Sequence, residues 1–429
     1  MVHQPPSGAR DLLPLDVAHK RWIEKRLRPV FQEWGYHRII TSTVERLDTL
    51  MAGGTIQQST VIQLEDTEED IRLGLRPEFT ASIARAAVTR MEDYPQRLYY
   101  NANVFRRSHH MGHGGQQEFY QAGVELLGAG GLLANAEILL ILFNSLQSLD
   151  LNEWQVILGE AGLTTSLLSP FPEPLRKKVR EAIAHLDRLT LETLPMSSEL
   201  RERALFIFDL RGKPGDVLQK VAALELDPEQ QTMLENLKSL VDLLQDSCIS
   251  HSTPPNPPLV RGGWGGSCDR TWQDCLILDL SLIRPFDYYT GIIFEVVNDT
   301  PSGQQILGQG GRYDQLLSIY HPQGEMIPGI GFSLNIEALQ QVLRPTGKFP
   351  KQTPLTKYLV VPKVPQAYAA AFHHAQQLRE SGESGQVVRV ELNLDSEPSQ
   401  ETVRNYARSR GIRQIAWVGA DNTAELETL

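Results

Sequence analysis

Arg284-Pro285-Phe286-Asp287-Tyr288-Tyr289-Thr290-Gly291 is followed, one short strand pair later, by Gly310-Gly311-Arg312-Tyr313-Asp314. The first run gathers a cation, a carboxylate and two adjacent phenols ahead of an apolar strand, Gly291 to Asn298. Arg284 precedes proline, so its backbone is held extended, and an extended chain sends Tyr288 and Tyr289 to opposite faces. One phenol is then placed to hydrogen-bond an imidazole nitrogen while the other packs in the core, and Arg284 offers its fork to a carboxylate or phosphate. The bland alternative is a structural Arg–Asp pair with two core tyrosines. Gly310-Gly311 reads as a turn signal. It is not a phosphate loop, because no GxxxxGK[ST] pattern occurs in the chain.

Two upstream segments carry matching chemistry. Arg76-Pro77-Glu78-Phe79-Thr80 sets a carboxylate and a hydroxyl at a strand-to-helix turn. There Glu78 either accepts from a ligand's ammonium group or simply favours the positive end of the helix. Phe105-Arg106-Arg107 ends a strand, and Phe119 to Glu125 runs along its expected partner. Alternation puts Phe119, Gln121, Gly123 and Glu125 on one face; two polar side chains beside a glycine suit a bound ligand, or else a solvent-facing strand. Together the segments describe a pocket for a small zwitterion.

Bulk properties exclude several classes. At 429 residues, with 41% hydrophobic and 22% charged residues, the chain has the composition of a globular protein of two or three domains. The longest apolar run, Leu132 to Leu146, is interrupted by Asn135, Glu137 and Asn144, so no membrane span or membrane partner is expected. The start, Met1 to Pro6, lacks the pattern of a secretory signal. Cys248, Cys268 and Cys275 form neither a metal-ligand spacing nor a disulfide framework, which points to a reducing, cytoplasmic setting with no metal and no cofactor. The net charge of −11 argues against a broad nucleic-acid surface.

The residue pattern predicts an N-terminal helix over 16–34, a strand over 37–44, a short strand at 73–75, a helix over 78–91, and a hairpin of strands at 97–105 and 117–127. Between the hairpin strands lies the His- and Gly-rich loop Ser108 to Gly115, and a long helix follows over 132–149. Residues 170–246 read as helical throughout, an insertion into the 1–345 core. Proline and glycine over 250–272 predict a disordered surface loop, with a Pro-rich ligand segment as the sharper alternative. Strands resume at 275–281, 291–298 and 304–307, and Pro328 to Leu334 precedes a helix to Leu343. The tail, 356–429, alternates strand and helix as β-α-β-α-β, a small α/β domain.

These segments, in this order, resemble histidyl-tRNA synthetase, a class II synthetase. Gly8-Ala9-Arg10-Asp11-Leu12-Leu13-Pro14 is similar to that family's N-terminal signature, Leu75 to Thr80 to its loop for the histidine amine, and Phe105-Arg106 with Phe119 to Gly128 to motif 2. Arg284 to Tyr289 and Gly310 to Asp314 resemble its two histidine-specific motifs, and Gly329 to Leu339 stands in the place of motif 3. The resemblance implies an α+β fold: an antiparallel sheet flanked by helices, with the helical insertion and a truncated anticodon-binding-like tail. It also implies a histidine pocket lined by Glu78, Thr80, Arg106, Gln121, Glu125, Arg284, Tyr288 and Tyr289.

Departures from the synthetase pattern concentrate on ATP and tRNA. Ser108 replaces the glutamate of Arg-x-Glu in motif 2, and Ser42 replaces the motif 1 proline. Motif 3 reads Asn335-Ile336-Glu337-Ala338-Leu339 where Gly-x-Glu-Arg-Leu is the pattern, so the arginine that holds nucleotide is absent. Phe79 stands where the synthetase has glycine. The tail stops before the last strands of an anticodon-binding domain and carries ten Lys and Arg against nine Asp and Glu over 346–429. Histidine features kept with nucleotide features lost resemble the synthetase-like regulatory subunits of ATP phosphoribosyltransferase. What that implies is a subunit with no catalytic residues, partnered by the short-form catalytic subunit and answering to L-histidine. It would be a homodimer within a hetero-octamer, without tRNA. An active histidyl-tRNA synthetase and a paralogue using the pocket for other amino-acid chemistry are the alternatives.

Overall fold

The computed structural model describes residues 5–54, 56–65, 71–107, 115–151, 153–249, 275–283, 289–300, 303–383, 387–395 and 399–429. It divides into two compact units, one of Met1–Leu12 with His19–Phe349 and one of Leu13–Ala18 with Pro350–Leu429. The calls on Ser108 to Gly114, on 250–272, and on Arg284 to Tyr288 lie outside the described residues.

The large unit contains strands β1 (His37–Arg38), β2 (Val44–Arg46), β3 (Gln63–Leu64), β4 (Leu73–Leu75), β5 (Gln96–Phe105), β6 (Glu118–Leu127), β7 (Trp154–Glu160), β8 (Arg211–Gly212), β9 (Leu276–Asp279), β10 (Ile292–Thr300), β11 (Gly303–Arg312) and β12 (Gly329–Asn335). Nine of them form one sheet in the order β1-β5-β6-β12-β11-β10-β7-β9-β8, while β2, β4 and β3 make a small separate sheet. The six central strands of the large sheet pair antiparallel throughout.

Side-chain alternation gives this sheet two different faces. On β6, Ala122, Val124 and Leu126 face a core shared with the helices Pro14–Glu33 and Gly131–Ser148. That core continues without a break into the insertion through Val179, Ile207, Val221 and Leu240. Each fully buried Leu, Ile or Phe there contributes about 1.5–3 kcal/mol. Gly131–Ser148, the one helix among the described residues long and apolar enough to cross a membrane, is a core helix here. Arg97 grips Glu137 of that helix through two 2.8 Å bonds, and the Tyr36 hydroxyl donates to the same carboxylate at 2.9 Å. The opposite face is covered by the helices Thr80–Arg90 and Leu316–Tyr320 through Ile83, Ala87, Leu98, Leu316 and Leu317. Gln121, Gly123 and Glu125 point to this second side.

The small unit holds β13 (Tyr358–Pro362), β14 (Val390–Leu392), β15 (Gln414–Val418) and β16 (Ala424–Thr428), ordered β14-β13-β15-β16, with β16 antiparallel. Helices Tyr368–Glu380 and Gln400–Arg410 bury Ala371 and Ala375, and Val403 and Ala407.

Several predicted elements are corrected. The strand expected over 37–44 is two strands in different sheets, because the Thr41 and Ser42 carbonyls accept from the Arg76 guanidinium (2.9 and 3.0 Å) instead of a ladder. Residues 170–246 are not helical throughout: β8 pairs with β9 at the sheet edge. Gly310 and Gly311 lie inside β11, not in a turn. β7 and β16 were not anticipated.

Arg312, 7% exposed, holds the end of β11 to the start of the helix Gly131–Ser148. It donates to Asp314 (2.9 Å), the Asn135 side chain (3.0 Å) and the Ala129 carbonyl (3.3 Å). Removing a buried donor and leaving its partners unpaired costs about 1–3 kcal/mol for each group left unsatisfied. Arg312→Ala is therefore expected to lower the unfolding free energy of the large unit by about 3 kcal/mol in urea titration; a change within about 0.5 kcal/mol, typical of surface substitutions, would contradict this packing role.

Candidate functional site

The polar face of the sheet carries a pocket lined by Glu78, Phe79, Thr80, Tyr100, Arg106, Gln121, Glu125, Tyr289, Gln309, Gly310, Tyr313, Gly331, Phe332 and Ser333, enclosing about 40 Å³. Six of the eight residues expected from the sequence meet there: Glu78, Thr80, Arg106, Gln121, Glu125 and Tyr289. The other two, Arg284 and Tyr288, are outside the described residues.

The register of three strands explains how these groups converge. Glu125 on β6 is opposite Gly331 on β12, and Gly331 is opposite Gly311 on β11. Gly123 and Gln309 flank Ser333 in the same way. This row of small residues makes room for large ones. A Cβ on Gly331 would collide with Oε2 of Glu125, and one on Gly311 would lie 2.6 Å from the Tyr289 ring. Glycine within a strand marks close approach, and here the approaching groups are the site's own carboxyl and phenol.

Glu125 is 1% exposed, yet both its oxygens are satisfied: the Thr80 hydroxyl donates to Oε1 at 2.8 Å and the Tyr313 hydroxyl to Oε2. Burial is the largest influence on this carboxyl, pushing its pKa from an ordinary 4.5 up to about 8 against those two hydrogen bonds, with neighbouring Glu78 pushing the same way. Glu78 begins the helix Thr80–Arg90, accepting from the backbone N–H of Ala81 (2.9 Å) and of Thr80 (3.2 Å). Its capping and its place in the pocket are therefore not alternatives. Burial raises the Glu78 pKa as well, opposed by these hydrogen bonds and by the Arg106 guanidinium. Arg106 donates to the Pro77 carbonyl at 2.7 Å. Two adjacent carboxyls, both destabilised as anions by burial and Glu125 further by Glu78, form a site that gains from a cation.

Sequence reasoning did not single out Tyr100, Gln309, Tyr313 or Ser333. Tyr313 lies in the quoted Gly310 to Asp314 run, but nothing local marks its hydroxyl as facing a carboxyl of another strand. Gln309 lies between Gly308 and Gly310, and Ser333 stands two residues after Gly331, and that spacing is the signal that was available. Tyr100 is buried, with its hydroxyl 3.5 Å from the Phe332 carbonyl. On the motif 3 segment, Asn335 caps the helix Ile336–Leu343 by accepting from Ala338 N–H at 3.0 Å. Glu337 accepts from the backbone N–H of Tyr120 (3.1 Å), and Ala338 is 7% exposed.

A carboxyl whose pKa rises on folding binds its proton more tightly in the folded state. The stability this provides is complete below the unfolded value near 4.5 and is lost as pH rises through about 8. Glu125→Gln cannot ionise. Relative to that variant, the wild type is expected to lose stability between about pH 4.5 and about pH 8, with a limiting slope of about 1.4 kcal/mol per pH unit. Parallel stability–pH curves for the two proteins would contradict the burial argument.

The family model for histidyl-tRNA synthetase matches residues 8–262 and 266–339. An ATP phosphoribosyltransferase regulatory subunit from Nostoc punctiforme is 60% identical over 431 residues, spanning 100% of both chains. One from Gloeothece citriformis is 54% identical over 435 residues, again spanning 100% of both. Among solved structures, an ATP phosphoribosyltransferase regulatory subunit/histidyl-tRNA synthetase from Bacillus halodurans has a TM-score of 0.77 at 24% identity, covering 98% of this chain and 99% of that one. A histidyl-tRNA synthetase from a Nostoc species has a TM-score of 0.76 at 20% identity, covering 100% and 95%. At those identities the two structures speak for the fold, and they match the class II synthetase-like architecture expected from the sequence. With full-length relatives at such identity, the chain belongs to the family of ATP phosphoribosyltransferase regulatory subunits, built on the histidyl-tRNA synthetase fold.

Proposed function

We propose that this chain is the non-catalytic, histidine-binding subunit of an ATP phosphoribosyltransferase assembly in the first step of histidine biosynthesis. It would activate a short-form catalytic subunit and transmit feedback inhibition by L-histidine, working as a homodimer within a hetero-octamer. The observation that carries this reading is the buried Glu125, hydrogen-bonded by Thr80 and Tyr313 and adjacent to Glu78. An amino acid's ammonium group would add a positive charge beside this pair, with Tyr289 and Gln121 available along the same wall for an imidazole. The amino-acid subsite thus retains its chemistry. The segment that would hold a nucleotide does not: Ala338 offers a buried methyl where the synthetase pattern has arginine. A tail with nearly balanced charge supports a role without tRNA.

A ligand that favours one arrangement of the subunit over another is the minimum requirement for feedback.

Reconstitution tests this directly. Adding the chain to purified short-form catalytic subunit is expected to raise phosphoribosyl-ATP formation, and histidine to lower it. Glu125→Gln or Tyr289→Ala should raise the inhibitory histidine concentration about 10- to 100-fold, as befits the loss of a hydrogen bond to a charged group, while leaving stimulation intact. Absence of stimulation, or equal loss of both effects, would contradict the proposal.

A further inference from the structure

Phe79 sits between two site residues, Glu78 and Thr80, and is 3% exposed. It occupies the N-cap position of the helix Thr80–Arg90, yet its side chain makes no capping hydrogen bond. Small polar residues are preferred at that position, and Glu78 already accepts the first backbone N–H groups. Helix initiation therefore gives no reason for an aromatic ring here.

Packing does give one. The ring stacks on Tyr100 with centroids 4.2 Å apart and planes at 22°, and the Arg76 guanidinium carbon lies 4.3 Å from its centroid. Both clamps are anchored. Tyr100 is held under the Phe332 carbonyl, and Arg76 donates to the carbonyls of Thr41, Ser42 and Asn103 at 2.9–3.0 Å. A ring pinned in this way forms a fixed wall next to the carboxyl pair.

Resting on the reading of this pocket as a free-histidine site, we infer that Phe79 is its specificity-determining residue. The ring admits a primary ammonium group beside Glu78 and Glu125 and rejects an amino group that carries a substituent. The carboxyls fix where the nitrogen sits, so an added methyl on that nitrogen meets the ring, and close-packed interiors do not absorb such a group. One methyl is worth about 10- to 200-fold in a shaped pocket.

The test is calorimetry on the full chain with L-histidine and Nα-methyl-L-histidine, for wild type, Phe79→Ala and Phe79→Leu. Wild type is expected to prefer histidine at least about tenfold, Phe79→Ala to bring the ratio of the two Kd values near unity, and Phe79→Leu to fall between. The ratio cancels any general loss of affinity, and Phe79→Leu keeps the test alive should Phe79→Ala fail to fold. An unchanged ratio in the folded variants overturns the inference while leaving the histidine site standing. No histidine binding by wild type overturns both.

Discussion

Glu125 is an acid buried on the sheet face opposite the main core, and the architecture around it serves to keep it there. Gly331 supplies the space, Thr80 and Tyr313 supply the hydrogen bonds, and Glu78 adds a second carboxyl. A buried polar group is tolerated only when its hydrogen bonds are made. That requirement in turn fixes the start of the helix Thr80–Arg90 and the register of β6 against β12 and β11. Moving β6 by one residue would turn Glu125 into the core beside the Gly131–Ser148 helix and bring Val124 to the pocket.

A site arranged in this way has a bias without a ligand. Burial holds Glu125 protonated near neutral pH. A cationic amino group beside it would reverse that condition. A carboxyl whose charge follows occupancy suits a sensor. A catalyst of aminoacyl transfer also needs a firm grip on triphosphate, and the helix that would help provide it begins here with Asn335 and a buried Ala338. The fold itself is shared with a histidyl-tRNA synthetase at a TM-score of 0.76.

Much of this was legible in the amino-acid sequence, for identifiable reasons. Alternation along Phe119 to Glu125 separated Gln121, Gly123 and Glu125 from Ala122 and Val124, and the two faces are separated in the same way in the fold. Other features were hidden by their dependence on distant partners. β7 pairs with β10 and β9, strands that follow only after the insertion, so no local pattern announced it. Gly310 and Gly311 read as a turn because glycine commonly marks one; their purpose is to leave space for Phe294 and Tyr289. Nothing local to Tyr313 marks its role, which appears only when Glu125 of another strand is placed against its hydroxyl. The break after Arg38 depends on Arg76, whose bonds to Thr41 and Ser42 cannot be seen in either segment alone.

The central claim is that this fold retains an amino-acid site and has lost its nucleotide site. Titrating the purified chain with L-histidine and, separately, with Mg-ATP in a calorimeter addresses both halves at once. The account expects a saturable histidine isotherm and no heat of ATP binding with or without histidine. Saturable ATP binding accompanied by histidyl-adenylate formation would contradict it.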